Sequence, residues 1–284
     1  MIRILPYPVK PMLLQSADQP FNSPDHIFEW KVDGIRCIMF YQEGAVRLQS
    51  KTGKDCTEAF PEIHNPEINA GEAIFDGELT VLSEGRPDFE GVMERYHSGI
   101  KKARLLAARK PSVYIVWDIL WHDGENKTRQ PLSKRKKYLE KILNNSTHIR
   151  KIDWIDEQGT SLWEAVVAHD LEGIVAKSKN SFYEAGKKSS AWLKIKNYRE
   201  ESVNIFGYSF KEGAVLVGPG DNVRGHAIGI NAKDRSILRD LLDKYGTTSG
   251  EKIYLPPGIR GRVRFTGFTP SGSMRDCTWK SFET

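Results

Sequence analysis

Short runs of β-branched and aromatic residues recur along the first two thirds of the chain: Ile27–Trp30, Arg36–Tyr41, Ala45–Gln49, Ala73–Leu82, Ser112–Leu120, Gly173–Lys177 and Trp192–Ile195. Each is bounded by Gly, Asp or Asn, which predicts strands separated by turns. Helical spacing alternates with them. Phe89, Val92 and Met93 fall at i, i+3 and i+4 within Pro87–Arg95, and Tyr138, Leu139, Ile142 and Leu143 repeat that spacing within Ser133–Asn144. Ser161–His169 reads as a third helix, with Ser161 as its cap and Glu164 three residues on.

After about Arg199 the texture changes. Val203–Phe210, Ala214–Gly218, His226–Ile230, Lys252–Leu255 and Gly261–Thr269 read as short strands, with one helix at Ala232–Tyr245. Five strands and a helix in that length suit a small Greek-key barrel of the OB type. The pattern as a whole predicts an α+β chain of two domains, 1–198 and 199–284, hinged near Asn197–Glu201.

With 284 residues, 39% hydrophobic, 28% charged and 10% aromatic, the chain can bury a sizeable core, and disorder throughout is excluded. No apolar run approaches the roughly 18 residues of a membrane helix. Pro6 and Pro8 interrupt the opening stretch where a secretory segment would be continuous, so no signal peptide is expected. Cys37, Cys56 and Cys277 make neither a disulfide framework nor a C-x-x-C site, which fits a reducing cytoplasm. A net charge of +5 is too mild to demand nucleic acid, but residues 199–284 hold 13 basic and 10 acidic side chains, three of those five charges. Basic clusters stand at Lys101–Arg104, at Lys127–Arg129 continuing through Lys134–Lys137, and at Arg260, Arg262 and Arg264. The last alternates, so a strand would put three guanidinium groups on one face. Such runs are either a solvated face or a stripe that tracks phosphates.

The chemistry concentrates elsewhere. Lys31-Val32-Asp33-Gly34-Ile35-Arg36, preceded by Glu29, lies between two strand-like runs, where Gly34 permits a tight turn. Lys31 is either surface charge or a nucleophile. The second role needs a neutral amine, so its ordinary pKa of about 10.4 must be lowered by burial or nearby cations. Ala191–Lys196 alternates, placing Lys194 and Lys196 on one face with Trp192 while Leu193 and Ile195 face the core. Lysines so placed either protect an edge strand or clamp a polyphosphate. Asp76 and Glu78 point the same way out of an apolar strand. Solvent exposure, a divalent cation or a ribose hydroxyl would each account for them. Glu172 opens the run to Lys177, and a separation of five puts the two on opposite faces of a regular strand, favouring Glu172 over Lys177. Trp117 is plain core or a purine-stacking platform.

In this order and spacing the segments resemble the ATP-dependent DNA ligases of the covalent nucleotidyltransferase superfamily. Lys31–Arg36 matches the K-x-D-G-x-R nucleophile motif, Asp76–Leu79 the D-G-E-L, Trp117-Asp118 the aromatic-Asp pair, Glu172–Lys177 the E-G-x-V-x-K and Trp192–Lys196 the W-x-K-x-K. Pro11–Leu13, Asp123-Gly124 with Pro131, Leu132 and Arg135, and Leu171–Lys196 with Phe182, Tyr183, Gly186 and Ser189 extend the likeness, most closely to the ligase module of bacterial end-joining ligases. It is strong over about residues 10–198 and rests on pattern alone beyond.

The resemblance implies a nucleotidyltransferase domain followed by an OB-fold domain, and three nucleotidyl transfers that seal 5′-phosphate/3′-hydroxyl nicks in duplex DNA. AMP would be carried covalently on Lys31. Lys194, Lys196 and Arg36 would oppose phosphate charge, with Mg2+ or Mn2+ near Glu78 and Glu172. Glu29 would lie near adenine, Trp117 would stack on it, Glu78 and Arg36 would address the ribose, and Lys177 would complete the nucleotide contacts. Asp33 would organise the loop. Arg36 and Lys51 would meet nucleic acid. The family has arginine where Lys51 stands, and lysine offers a point charge without the bidentate fork. Only 30 residues precede Lys31, which favours ATP over NAD. Ser271–Asp276 resembles the run leading to the family's C-terminal motif, whose weakness here bears on self-adenylation. A monomer, and a Ku-type end-binding partner, are expected from the family. RNA ligase, capping guanylyltransferase and a catalytically silent nick-binding module are the rival readings; the intact nucleophile and carboxylates weigh against the last.

Overall fold

The apolar strands predicted from the sequence assemble into two sheets in the first of two compact units, residues 1–196 and 197–284. The structure is a computed structural model and describes residues 6–269 and 271–283; the first five residues of the opening stretch therefore lie outside the described residues. One sheet of the first unit runs in the order Leu13–Ser16, Lys188–Lys196, Gly173–Ser178, His26–Trp30, Trp154–Asp156. The other runs Ala45–Ser50, Ile35–Gln42, Glu72–Ser83, Ser112–His122, Glu125–Asn126. Ile149–Lys151 adds to Ser112–His122 in parallel.

Ile35–Gln42 is apolar on both faces because both are covered. Ile38 and Phe40 join Ile74, Ile115, Trp117, Ile27 and Trp192 in a cluster drawn from both sheets, whereas Cys37 and Met39 pack with Phe60, Phe75 and Val92 on the outer side. The far face of the first sheet buries Phe28, Ile174 and Ile195 against Val166 of the helix Gly159–Ala168. That helix begins before Ser161, which lies inside it. Its first turn is capped from a distance, Asn22 Oδ1 accepting from the Thr160 N–H at 3.0 Å, so the expected Ser161 cap is corrected. Helices Phe89–His97 and Leu132–Ile142 lie where the spacing predicts them, the first capped by Asp88. A further helix, Ile100–Arg109, contains the basic cluster at 101–104.

In the second unit, Arg199–Ser209 pairs with Ala214–Gly218, Lys252–Tyr254 and Arg260–Phe265 in a curled antiparallel sheet, and the helix Ala232–Tyr245 sends Leu238 and Leu242 into its core. The predicted strand to Thr269 breaks at Thr266, and Gly267–Phe268 pairs instead with Met274–Arg275 within the Ser271–Asp276 run. Arg260, Arg262 and Arg264 share a face as alternation requires. Glu283 sits 3.7 Å from Arg260 and 3.6 Å from Arg262, while Arg264 stacks on Tyr198 at 4.6 Å. No helix among the described residues is long and apolar enough to cross a membrane.

The basic run 134–137 is not a uniform surface cluster. Arg135 and Lys136 are buried, because the helical repeat through Leu132, Leu139 and Ile142 carries them inward. Arg135 forks onto Asp118, Nε to Oδ1 at 2.8 Å and Nη2 to Oδ2 at 2.9 Å, and Nη1 donates to the carbonyls of Gln130 and Ser181. Arg135→Met would leave the Asp118 carboxylate buried and unpaired, which costs about 3–5 kcal/mol. Urea unfolding followed by tryptophan fluorescence should show that loss; an unchanged midpoint would show that Asp118 finds other partners.

Candidate active site

The cleft forms where the two sheets face each other. Glu29, Lys31, Arg36, Glu78, Trp117 and Lys177 line about 360 Å³ of empty space, together with apolar neighbours that include Val175 and Trp192. Residues separated by nearly 150 positions in sequence thus reach one place. Lys31 follows the His26–Trp30 strand, and its backbone N–H donates to the Gly173 carbonyl at 2.8 Å. Its side-chain Nζ meets Glu172 Oε2 at 2.5 Å. Lys196 Nζ lies 3.4 Å from the other Glu172 oxygen, and Lys194 sits two residues before it on the same strand face.

Two glycines make these approaches possible. A Cβ on Gly34 would strike the Leu79 carbonyl oxygen and lie 2.9 Å from Glu78 Cγ, so close strand approach rather than turn conformation alone demands glycine there. Gly173 has φ +151°, and a Cβ there would collide with the Ile195 carbonyl. That backbone breaks the alternation at the start of the Gly173–Ser178 strand. Glu172, which is not itself a lining residue, reaches the cleft residue Lys31, while Lys177 lines the cleft directly with Val175.

Asp76 and Glu78, read as like charges on one face, are not solvated. Arg36 grips Asp76 with Nε to Oδ1 at 2.5 Å and Nη2 to Oδ2 at 2.6 Å, and the Tyr183 hydroxyl donates to Oδ2 at 2.7 Å. Burial opposes the Arg36 charge, but Asp76 overrides it and raises the guanidinium pKa further. Arg36 also lies 4.6 Å above the Trp117 ring. Trp117 and Asp118 are neighbours in sequence, yet a register shift opposite Asp76 and Gly77 lets Trp117 line the cleft while Asp118 pairs with Arg135.

Glu78 keeps its proton to about 8, chiefly through burial, with the Glu172 and Asp76 charges adding to the rise and Lys31 and Arg36 opposing it. Lys177 is drawn down to about 8 by burial, against the pull of Glu29. Its Nζ lies 2.6 Å from Glu29 Oε2 in a buried ion pair, and an ammonium has three N–H groups, so donors are left for a further acceptor. Lys136, which sequence reasoning left in a basic cluster, holds the other Glu29 oxygen at 2.5 Å. Helical periodicity was the signal that could have found it. Lys51 stands exposed in the turn after Ala45–Ser50 and does not line the cleft. Cys37, Cys56 and Cys277 are buried free thiols.

Among the described residues no three His, Cys, Asp or Glu side chains cluster to hold a metal. Glu78 and Glu172 nevertheless feel each other's charge, and a hard divalent cation is commonly held by one or two carboxylates plus substrate phosphates. The donor set fits such an ion.

Residues 11–196 match the family model of the ATP-dependent DNA ligase domain. Over 275 residues the chain is 37% identical to the SPbeta prophage-derived DNA ligase-like protein LigB of Bacillus subtilis, covering 96% of this chain and 98% of that protein. It is 29% identical to the bifunctional non-homologous end joining protein LigD of Bacillus subtilis, covering 90% of this chain but 46% of that protein, so it spans under half of that relative. Among solved structures, mycobacterial DNA ligase D complexed with ATP and MES superposes with TM-score 0.59 at 24% identity, over 97% of this chain and 95% of that one. A Lig E DNA ligase gives 0.67 at 16%, over 96% and 99%. These two likenesses concern the fold: a nucleotidyltransferase domain followed by an OB-fold domain. With the family match and the prophage relative added, the chain belongs to the ATP-dependent DNA ligase family.

Burial of Glu78 has a consequence for stability. The unfolded chain releases this proton near 4.5 and the native one near 8, so the stability Glu78 provides is present below 4.5 and lost as pH rises through 8. Glu78→Gln has no proton to lose. In metal-free buffer its Tm advantage over wild type should open between pH 4.5 and about 8 and then level off. A difference that stays flat across that window contradicts the raised value.

Proposed function

We propose that the chain seals nicks in duplex DNA at this one cleft. Lys31 Nζ attacks the α-phosphorus of ATP, a P–N bond forms, and pyrophosphate leaves with the electrons of the broken P–O bond. An oxygen of the nick's 5′-phosphate attacks the AMP phosphorus and the P–N bond breaks, its electrons returning to Lys31. The 3′-hydroxyl then gives up its proton and attacks that 5′-phosphate, and AMP leaves with the electrons of the broken P–O bond. What supports the reading best is the Lys31 amine 2.5 Å from Glu172 at a cleft lined by Glu29, Arg36, Glu78, Trp117 and Lys177.

To attack, the amine must give up a proton, and Glu172 is the carboxylate within its reach. Lys194 and Lys196 oppose charge building on the phosphate. Glu29 and Trp117 hold the adenine side, Glu78 and Arg36 the ribose, and Lys177 an acceptor on the nucleotide. Asp76 fixes Arg36 for that task. Glu78 and Glu172 would hold Mg2+ or Mn2+, which would supply positive charge against the phosphates. Arg36 and Lys51 contact the nick. We assign 1–198 to adenylation and 199–284 to the OB-fold domain. The enzyme works as a monomer in the cytoplasm, with a Ku-type end-binding protein as its partner at broken ends. DNA binding through basic surfaces should weaken steeply with salt.

After incubation with ATP and magnesium, intact mass should show a gain of one AMP in wild type and none in Lys31→Ala. A 5′-phosphorylated DNA nick should be joined by wild type alone, while a pre-adenylated nick bypasses the first two steps. A Lys31→Ala chain that takes up AMP as wild type does would overturn the proposal.

A further inference from the structure

Glu29 is a buried carboxylate shared by two buried lysines. Lys136 Nζ lies 2.5 Å from Oε1 and Lys177 Nζ 2.6 Å from Oε2. The two lysines differ in where they stand. Lys177 lines the cleft with Glu29, whereas Lys136 lines a separate cavity of about 760 Å³ beside Ile27, Trp154 and Lys179. Lys136 therefore stands behind Glu29 as seen from the cleft and acts on it without reaching a ligand there. Lys177 is further held near two indoles, its Nζ 4.2 Å from the Trp192 ring and 5.0 Å from that of Trp117.

We propose that Lys136 is a positioning residue for the ATP site: by occupying one Glu29 oxygen it confines Lys177 to the other and keeps the Lys177 ammonium between the indoles, its N–H groups directed to an acceptor on the nucleotide. The inference rests on the reading of the cleft as the ATP site. Two ammonium groups against one carboxylate leave surplus positive charge in a dry place, which an electron-rich ligand relieves. The other charges facing Lys177 are already matched or lie along the neighbouring strand. Asp118 is forked by Arg135, Arg36 is gripped by Asp76, and Lys194 and Lys196 follow Trp192.

Lys136 also works against the charge of Lys177, adding to the effect of burial while Glu29 and Asp118 oppose it. Without Lys136, Glu29 turns both oxygens to Lys177, so the ammonium is drawn from the cleft and survives to higher pH. The test is calorimetric titration across pH with an ATP analogue carrying an α,β-methylene bridge, which binds without transfer. Lys136→Met should bind roughly tenfold more weakly near neutral pH, and the alkaline limb of its binding profile should move up by about one unit, as for removal of one like charge from a buried neighbour. Lys136→Arg should return the limb to its wild-type position. If the methionine variant does not fold, Lys136→Gln, which keeps a donor at Glu29 but removes the charge, should hold near wild-type affinity and still move the limb up; a limb that stays in place overturns the inference. A variant matching wild type in affinity and limb, or a limb moving down, overturns the inference. Wild type that fails to bind the analogue instead overturns the ATP-site reading itself.

Discussion

Arg36 and Asp76 meet through two short contacts in the space between two facing sheets, and most of the cleft is arranged around that fork. A guanidinium and a carboxylate withdrawn from water keep their charges only by pairing. The pair recruits its surroundings in turn. Arg36 Nη2 donates to the Met12 carbonyl at 3.2 Å, and Tyr183 donates to Asp76 while accepting from the Met12 N–H at 3.0 Å. Segments near residues 12 and 183 are thus tied to the Ile35–Gln42 and Glu72–Ser83 strands, and the flat guanidinium gives Trp117 a face to lie against.

The same constraint explains the pattern of charge around the cleft. Each buried ionic group has its opposite: Lys31 and Lys196 with Glu172, Lys136 and Lys177 with Glu29, Arg135 with Asp118. Among the described residues, buried polar atoms without a hydrogen-bond partner occur at the opening and also elsewhere, at Arg95 Nε, Ser209 Oγ and Arg264 Nε. At the opening, Trp117 Nε1 is a buried donor without an acceptor, Lys177 shares Glu29 with Lys136, and Glu78 holds a proton against its ordinary preference. Such leftover donors and displaced protonation mark where a ligand completes the electrostatics. The residues of this cleft lie within the segment that matches the ATP-dependent DNA ligase domain.

In the second domain, charge is handled at the surface instead. Arg260 and Arg262 alternate outward as their strand requires, but Glu283 answers both, and Arg264 lays its guanidinium on Tyr198. A count of arginines therefore overstates the positive field this strand presents. Exposed pairs of this kind are individually weak and yield readily to a phosphate or to salt.

Much of the fold was legible because strand alternation and helical spacing are local. The runs from Ile27–Trp30 to Gly173–Lys177 are strands within a residue or two, and Phe89 and Leu139 sit on helices. The site was legible as residue types at motif spacings, and Glu29, Lys31, Arg36, Glu78, Trp117 and Lys177 do converge. Three things were not. The Ile100–Arg109 helix was obscured by its own lysines. Glu172 reaches the cleft residue Lys31 from just before Gly173, whose backbone departs from a regular strand. Lys136, one of four consecutive basic residues, lies inside while Lys134 and Lys137 remain exposed. The chain's own order of residues determined which segments pair as strands and which chemical groups are available. Tertiary structure alone decided which of those charges are buried and against what, because removal from water depends on the atoms that pack across from a side chain, contributed here by segments more than 100 residues away.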